Sequence, residues 1–206
     1  IEQVAPCFLG SFIDFNKDIQ RTKINGITDL NYIKNTQNPL FSISYVKKYG
    51  TDEDLRMGLK AEYFPYLGTE KFTNEQIKKE FYRLGITFKV SASRDRFVVN
   101  LSGLEENLEK GLELLQYLFA NAKPDEEMYH GLVKDILKKR TNAKLNKGVI
   151  LQQGLINYAK YGKENPFTYI LSEKELNDIK PENLVRSIIE DTKVFSTINY
   201  YGQRDI

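Results

Sequence analysis

Six short stretches of the chain alternate apolar and polar positions in the way that predicts β-strands, since successive side chains of a strand point to opposite faces. The first two lie on either side of Asn25-Gly26, a pair that favours a tight hairpin turn. In the third, Phe41, Ile43 and Tyr45 share one face. Two more surround the polar turn at 93–96 and predict a second hairpin. The predicted strands are 18–24, 29–34, 40–46, 86–90, 97–101 and 193–201.

Between and after these strands, apolar residues recur at every third or fourth position, which predicts amphipathic helices. Thr73 and Gln76 form a capping box at the start of one helix, and Ser102 with Glu105 predicts a second capping box. Pro65 is expected to end or bend the helix that contains it. The predicted helices are 52–66, 73–84, 102–122, 124–146, 149–161, 173–179 and 182–191.

The order of these elements predicts the fold class α+β. We expect a largely antiparallel sheet of about five to six strands, with helices packed on one face. No stretch rich in Gly, Ser or Pro divides the chain, so residues 1–206 are expected to form a single domain with an irregular arm at 1–15. The first residue is Ile, and we therefore expect the chain to be a piece of a longer multidomain protein.

Composition narrows the classes of function. Hydrophobic residues make up 41% and charged residues 28%, which is typical of a folded globular chain. The net charge of +2 provides no overall field for nucleic acid or an anionic membrane, and no apolar run reaches the 18 or so residues of a membrane span. The compartment is left open; a bacterial cell envelope or periplasm fits if an upstream signal peptide has been removed.

Two residue counts remove most metal chemistry. The one cysteine, Cys7, excludes disulfides within the chain and clusters of several cysteines around a metal. The one histidine, His130, excludes every zinc site that needs two imidazoles. We therefore expect His130 to be a solvated helix residue, and Cys7 lacks a neighbouring base that would make it a nucleophile.

The stretch 56–69, with sequence RMGLKAEYFPYLGT, resembles the first motif of the insulinase-type (M16) zinc peptidases. In that family a helix carries His-x-x-Glu-His, and a segment similar to Leu-Gly-Thr follows it. With Leu67-Gly68-Thr69 aligned, the first His position falls on Leu59, the general base on Glu62 and the second His on Tyr63. The order of the surrounding segments agrees from about residue 18 to residue 202, and the M16 domain fold is implied over nearly the whole chain.

The departures from the family motif decide what the resemblance implies for this chain. Leu59 has no donor atom, and the Tyr63 phenol is a poor substitute for an imidazole. The best match to the third ligand of the family, a Glu, is Asp135. Without a metal to lower the pKa of water, Glu62 alone cannot activate it. We therefore expect no catalytic residue, no cofactor-binding residue and no metal ligand here.

The resemblance implies a non-catalytic repeat of an insulinase-like peptidase, inactive alone, with zinc in the catalytic domain of the parent protein. Such a domain would form part of the peptide-enclosing chamber and the interface to the zinc-bearing half. Its partners would be other domains of the same polypeptide or a homologous catalytic subunit, together with the peptide substrate. The alternative is a structural or assembly protein on the same fold without peptidase activity, like the core subunits of the mitochondrial respiratory complex.

Three groups of residues have plainer interpretations. Tyr63, Phe64 and Tyr66 are expected to pack in and around the core rather than to bind peptide. The carboxylates of 125–127 suit the N-terminus of a helix. A basic run is expected to be a solvated face or, in a chamber, a wall that attracts acidic peptide; its members are Lys134, Lys138, Lys139, Arg140, Lys144 and Lys147.

Overall fold

The computed structural model describes residues 14–205; Cys7 and all but the last two residues of the expected arm lie outside the described residues. The strands are β1 (Gln20–Ile24), β2 (Thr28–Lys34), β3 (Leu40–Lys47), β4 (Ile86–Ala92), β5 (Phe97–Leu104) and β6 (Thr197–Gly202). The helices are α1 (Arg56–Tyr63), α2 (Asn74–Arg83), α3 (Leu108–Asn121), α4 (Glu126–Ala143), α5 (Lys147–Val149), α6 (Ile156–Tyr161), α7 (Glu173–Asp178) and α8 (Pro181–Thr192). Short 3₁₀ turns follow α1 and precede α3, and a π-helical turn, Ile150–Leu155, joins α5 to α6.

The six strands form one sheet in the order β1-β2-β6-β3-β5-β4. Every neighbouring pair is antiparallel except β2 and β6, which run parallel. The last strand of the chain therefore lies inside the sheet, between two strands from its beginning. The α+β prediction with a largely antiparallel sheet is confirmed.

The two faces of the sheet have opposite character, as strand periodicity requires. One face is buried beneath the helices, and its core members include Tyr32, Phe41, Ile43, Ile86, Phe97, Val99 and Leu101. The other face carries a row of polar residues that lie side by side across all six strands: Arg21, Asn31, Asn199, Ser44, Asn100 and Lys89. Within this row the Asn31 amide donates a hydrogen bond to the Asn199 amide oxygen at 2.8 Å. Helices thus cover one face of the sheet, as predicted.

The turn and helix-capping predictions in the first half of the chain are confirmed. Asn25 and Gly26 both have positive φ, 52° and 71°, and connect β1 to β2. Thr73 and Gln76 exchange the two hydrogen bonds of a capping box at the start of α2. Gly85 ends the same helix with φ of 62°, a conformation that glycine adopts without strain.

Helix α1 is shorter than predicted, because a tertiary contact fixes the residues before it. The amides of Thr51 and Asp52 donate to the carbonyls of Ser93 and Arg94, both at 2.9 Å, so this segment is held on the turn between β4 and β5. The helix begins only at Arg56, and the proline-containing residues after Tyr63 form a 3₁₀ turn. Strand β6 likewise begins at Thr197, four residues later than predicted.

The prediction of a capping box at Ser102 and Glu105 is wrong. Ser102 belongs to β5, where it lies opposite Ser42. The buried Glu105 carboxylate instead accepts hydrogen bonds from the Tyr200 hydroxyl at 2.7 Å and the Gln203 amide at 3.0 Å. Tyr200 and Gln203, near the end of the chain, thus bind Glu105 in place of the predicted local partner Ser102. No helix among residues 14–205 combines the length and apolar character that crossing a bilayer requires.

Gly103 in β5 provides a test of the packing between the sheet and the turn after α2. A Cβ atom at this position would overlap the carbonyl oxygen of Gly85 and also meet Ile86. Because the backbone cannot yield as a flexible side chain can, we expect Gly103→Ala to lower the free energy of unfolding by about 1–3 kcal/mol. Urea denaturation measures this change.

The matched control is Gly131→Ala on α4, where a Cβ would have no atom within 4 Å. We expect that variant to gain about 0.5–1 kcal/mol, since alanine is the better helix former. Equal effects of the two substitutions would contradict the assigned close approach at Gly103.

Candidate functional site

Helix α1, which carries the motif positions, is buried on more than one side. It contacts β4 on the sheet and also α4 and α8. Its buried residues are Met57, Leu59, Lys60, Ala61 and Tyr63. Glu62, by contrast, is exposed. The two positions that correspond to imidazoles therefore point into the core, and the position that corresponds to the general base points to solvent.

The Tyr63 hydroxyl is fully engaged with the main chain. It donates to the Asp125 carbonyl and accepts from the Asp125 amide, both at 2.9 Å. Its ring meets the ring of Tyr129 edge-on, with centroids 5.4 Å apart. The Tyr129 hydroxyl in turn donates to the Leu176 carbonyl at 2.7 Å. The two phenols thus tie α1 to the start of α4, and α4 to α7.

Asp135 does not join Leu59 and Tyr63. It lies exposed on α4, six residues and therefore about 9 Å along the axis from Tyr129, the α4 residue that meets Tyr63. The structure thus brings Leu59, Tyr63 and Tyr129 together and leaves Glu62 and Asp135 at the surface. The α4 side chain that meets Tyr63 is therefore the phenol of Tyr129 and not the carboxylate of Asp135.

These side chains do not fit a zinc ion. Burial raises the pKa of Tyr63 above 10.0 and, with the neighbouring Tyr63, raises the pKa of Tyr129 to about 12. Both phenols are therefore neutral near pH 7, whereas an oxygen ligand of zinc is an anion. Across residues 14–205, no three His, Cys, Asp or Glu side chains are grouped so that they could hold a metal ion.

A buried ion-pair network lies on the other side of α1. Asp191 at the end of α8 accepts from Lys60 and from Lys47, with both N–O distances at 2.6 Å. The Lys60 side chain is 4% exposed and that of Asp191 is 13% exposed. One carboxylate thus joins β3, α1 and α8. Sequence reasoning missed Lys60, although it falls at helical spacing between Met57 and Phe64, both buried.

The other candidate residues have structural or solvent-facing positions. Asp125 is the N-cap of α4 and accepts from the Met128 amide at 3.0 Å. His130 is exposed on the next turn of the same helix. Phe64 is buried against Phe88 and Phe119, and Tyr66 lies partly exposed beside Lys78. None of these arrangements forms a nucleophile–base pair in the described part of the chain.

The basic run is exposed on α4 and on the residues that follow it, with one exception. The Arg140 guanidinium is partly buried and donates to the Leu171 carbonyl at 2.6 Å. The remaining members, Lys134, Lys138, Lys139, Lys144 and Lys147, are exposed. Arg140 therefore holds the loop before α7, while the lysines remain free to meet solvent or a partner.

Comparison with known families gives one match. The model of the insulinase family, peptidase family M16, matches residues 61–165, which is half of the chain. No curated protein matches the sequence. The matched part begins at Ala61 within α1 and ends before α7, so it includes Glu62 and Tyr63, the second hairpin and α4, whereas Leu59 precedes it.

Three solved structures share the fold. A peptidase M16 inactive domain from Pseudomonas fluorescens has a TM-score of 0.74 at 16% identity, covering 91% of this chain and 47% of that one. The ferredoxin protease FusC, solved as a mutant in complex with Arabidopsis ferredoxin, has a TM-score of 0.71 at 10% identity, covering 100% of this chain and 25% of that one. The periplasmic protease PqqL from Escherichia coli has a TM-score of 0.69 at 11% identity, covering 98% of this chain and 23% of that one. The chain thus spans about half of the first structure and about a quarter of the other two.

The Asp191 network provides a test of the burial around α1. We expect Asp191→Ala to lower the free energy of unfolding by about 3–5 kcal/mol, because it leaves the Lys60 ammonium buried without a partner. Lys60→Met should cost less than about 1.5 kcal/mol, since the volume is kept and Asp191 retains Lys47. Glu70→Ala, which breaks the exposed pair with Lys123, is the control at roughly 0–1 kcal/mol. Chemical denaturation should reproduce this order; a larger loss for Lys60→Met would contradict it.

The buried phenols predict an alkaline limit of stability. The pKa of Tyr129 is about 12 in the folded chain and 10.0 when unperturbed, so the folded state holds this proton more tightly. The resulting stabilisation is complete below about pH 10 and is lost as the pH rises towards about 12. Unfolding free energies measured across this range should fall less steeply in Tyr129→Phe than in the unaltered chain. The exposed control Tyr82→Phe should retain the steep fall, and equal slopes in all three would disprove the assignment.

Proposed function

This chain belongs to the insulinase family, peptidase family M16, and on that premise we propose that it is a non-catalytic domain of a zinc peptidase. The observation that carries the proposal is the replacement of the two family imidazoles by Leu59 and Tyr63. Both are buried, and the Tyr63 hydroxyl already holds two hydrogen bonds to the main chain. The role left for the domain is to bind and enclose peptide rather than to cleave it.

Zinc and the reacting groups belong, in this proposal, to another domain of the same polypeptide or to a homologous catalytic subunit. The chain spans about half or a quarter of the structures it resembles, which supports a parent built from several such units. The domain would form part of the chamber around the peptide and part of the interface to the zinc-bearing half. Its rigid sheet, covered by helices on one face, suits such a wall.

The test uses the isolated domain and the zinc-bearing half. We expect the purified domain to contain no stoichiometric zinc by elemental analysis and to show no cleavage of a fluorogenic peptide that a chelator abolishes. The zinc-bearing half, read from the gene by an intact His-x-x-Glu-His, should gain activity when this domain is added. Glu62→Gln should change that gain by less than about twofold, because no metal-activated water lies beside Glu62.

Two results would overturn the proposal. Chelator-sensitive cleavage by the pure domain would assign it a catalytic centre of its own. A parent protein or operon without any His-x-x-Glu-His would instead support a structural or assembly role on the same fold.

A further inference from the structure

The helical segment 147–161, formed by α5, the π-helical turn and α6, exposes apolar side chains to an unusual degree. None of its residues is buried. Ile150, Leu151, Leu155, Tyr158 and Tyr161, here named the apolar stripe, have exposed fractions between 47% and 60%. The segment meets the loop before α7 at Gly154, which lies next to Phe167. Contiguous exposed apolar residues of this kind mark a binding surface.

The charge around the apolar stripe has one sign. Residues 136–163 contain seven basic residues and no acidic one, and the basic residues are Lys138, Lys139, Arg140, Lys144, Lys147, Lys160 and Lys163. Residues 148–159 are free of charge, so that lysines flank the apolar stripe at both ends. The whole chain is almost neutral at +2, and this local excess is therefore a property of the segment. Such a surface complements acidic groups on either side of an apolar centre.

Two cavities lie near the segment: Tyr161 lines the first, and Phe167, the neighbour of Gly154, lines the second. One, of about 390 Å³, lies between Tyr161, Tyr169 and the turn at Arg94. The other, of about 460 Å³, lies between α4 and the loop before α7, with Leu137, Lys144 and Ile170 in its lining. The first cavity also has two carboxylates at its lining, Glu164 and Asp52, of which Asp52 is paired with Arg94, and the second has one, Glu173. Cavities of this size receive individual side chains.

We propose that the apolar stripe and its flanking lysines bind an extended peptide in which acidic residues flank apolar ones. This inference rests on the proposed function, since it takes the occupant to be the enclosed peptide, and it names the peptide class that this wall retains. The two cavities favour a peptide over a lipid surface, because a chain of side chains fills separate hollows and a flat bilayer does not.

The probe is a fluorescein-labelled peptide Glu-Glu-Leu-Ala-Leu-Glu-Glu, measured by fluorescence anisotropy with the purified domain. We expect saturable binding that weakens as salt is added, because exposed charges contribute to it. A peptide with Lys in place of Glu and a peptide with Ser in place of Leu should each bind at least about tenfold more weakly, a loss of 1.4 kcal/mol or more.

Matched variants separate the two contributions. Leu151→Ser combined with Leu155→Ser and Tyr158→Ser should weaken binding about tenfold or more. Ile27→Ser with Tyr82→Ser, at apolar positions elsewhere that are even more exposed, should not weaken it. The combined substitutions Lys144→Gln, Lys147→Gln, Lys160→Gln and Lys163→Gln remove the flanking charge and should abolish most of the salt dependence. The combined substitutions Lys48→Gln, Lys79→Gln, Lys89→Gln and Lys110→Gln, at exposed positions elsewhere, should keep it. Circular dichroism confirms that each variant is folded.

Three outcomes would refute the inference: equal affinity for the acidic and basic peptides, unchanged affinity in the apolar-stripe variant, or sedimentation with phosphatidylcholine–phosphatidylglycerol vesicles in place of peptide binding. These outcomes are distinct from failure of the proposed function. A domain that does not bind the peptide but still activates the zinc-bearing half refutes only this inference. A domain that binds the peptide and also cleaves it with zinc refutes only the proposed function.

Discussion

The burial of helix α1 between the sheet and helices α4 and α8 is the constraint on which the rest of this structure depends. A buried side chain on this helix must either be apolar or have a hydrogen-bond or ion-pair partner within the core. Leu59 meets the requirement by being apolar, and Tyr63 meets it through its two bonds to Asp125. Lys60 meets it through Asp191. Imidazoles at these positions, as in the motif of the family, would be neutral and would need a partner such as a metal ion for their ring nitrogens.

The replacements at positions 59 and 63 therefore contribute to the fold as well as removing a metal site. The Tyr63 phenol holds the N-terminus of α4, and Tyr129 extends the contact to the carbonyl of Leu176. An imidazole at position 63 would be shorter and would leave the Asp125 amide and carbonyl without this partner. The same side chains that do not fit a zinc ion thus contribute hydrogen bonds and apolar contacts to the core. Glu62 and Asp135, meanwhile, lie exposed at the surface and take no part in this core.

Sequence reasoning succeeded where the partners of a residue lie close to it along the chain. The Thr73 capping box and the Asn25-Gly26 turn are closed within a few residues, and both were predicted. Ser102 and Glu105 are also of capping-box residue types at the same spacing, but the hydrogen-bond partners of Glu105 lie 95 and 98 residues away. The partner of Lys60 lies 131 residues away, and no local pattern identifies it. At the candidate site, the sequence alone shows that positions 59 and 63 carry no imidazole. The hydrogen bonds of the Tyr63 hydroxyl to Asp125 depend on tertiary packing and could not be predicted from the sequence.

The place of β6 has a consequence for the way the chain is made. Strand β6 lies between β2 and β3, so the first hairpin reaches the remaining strands only through β6, which follows all the helices in the chain. On the ribosome, β3, β4 and β5 can assemble with the helices while β1 and β2 wait with an unpaired edge. Until β6 has left the ribosome, that edge is open to other nascent chains. A domain repeated within one polypeptide would present such edges in succession, and the order in which they close would decide whether neighbouring repeats exchange strands.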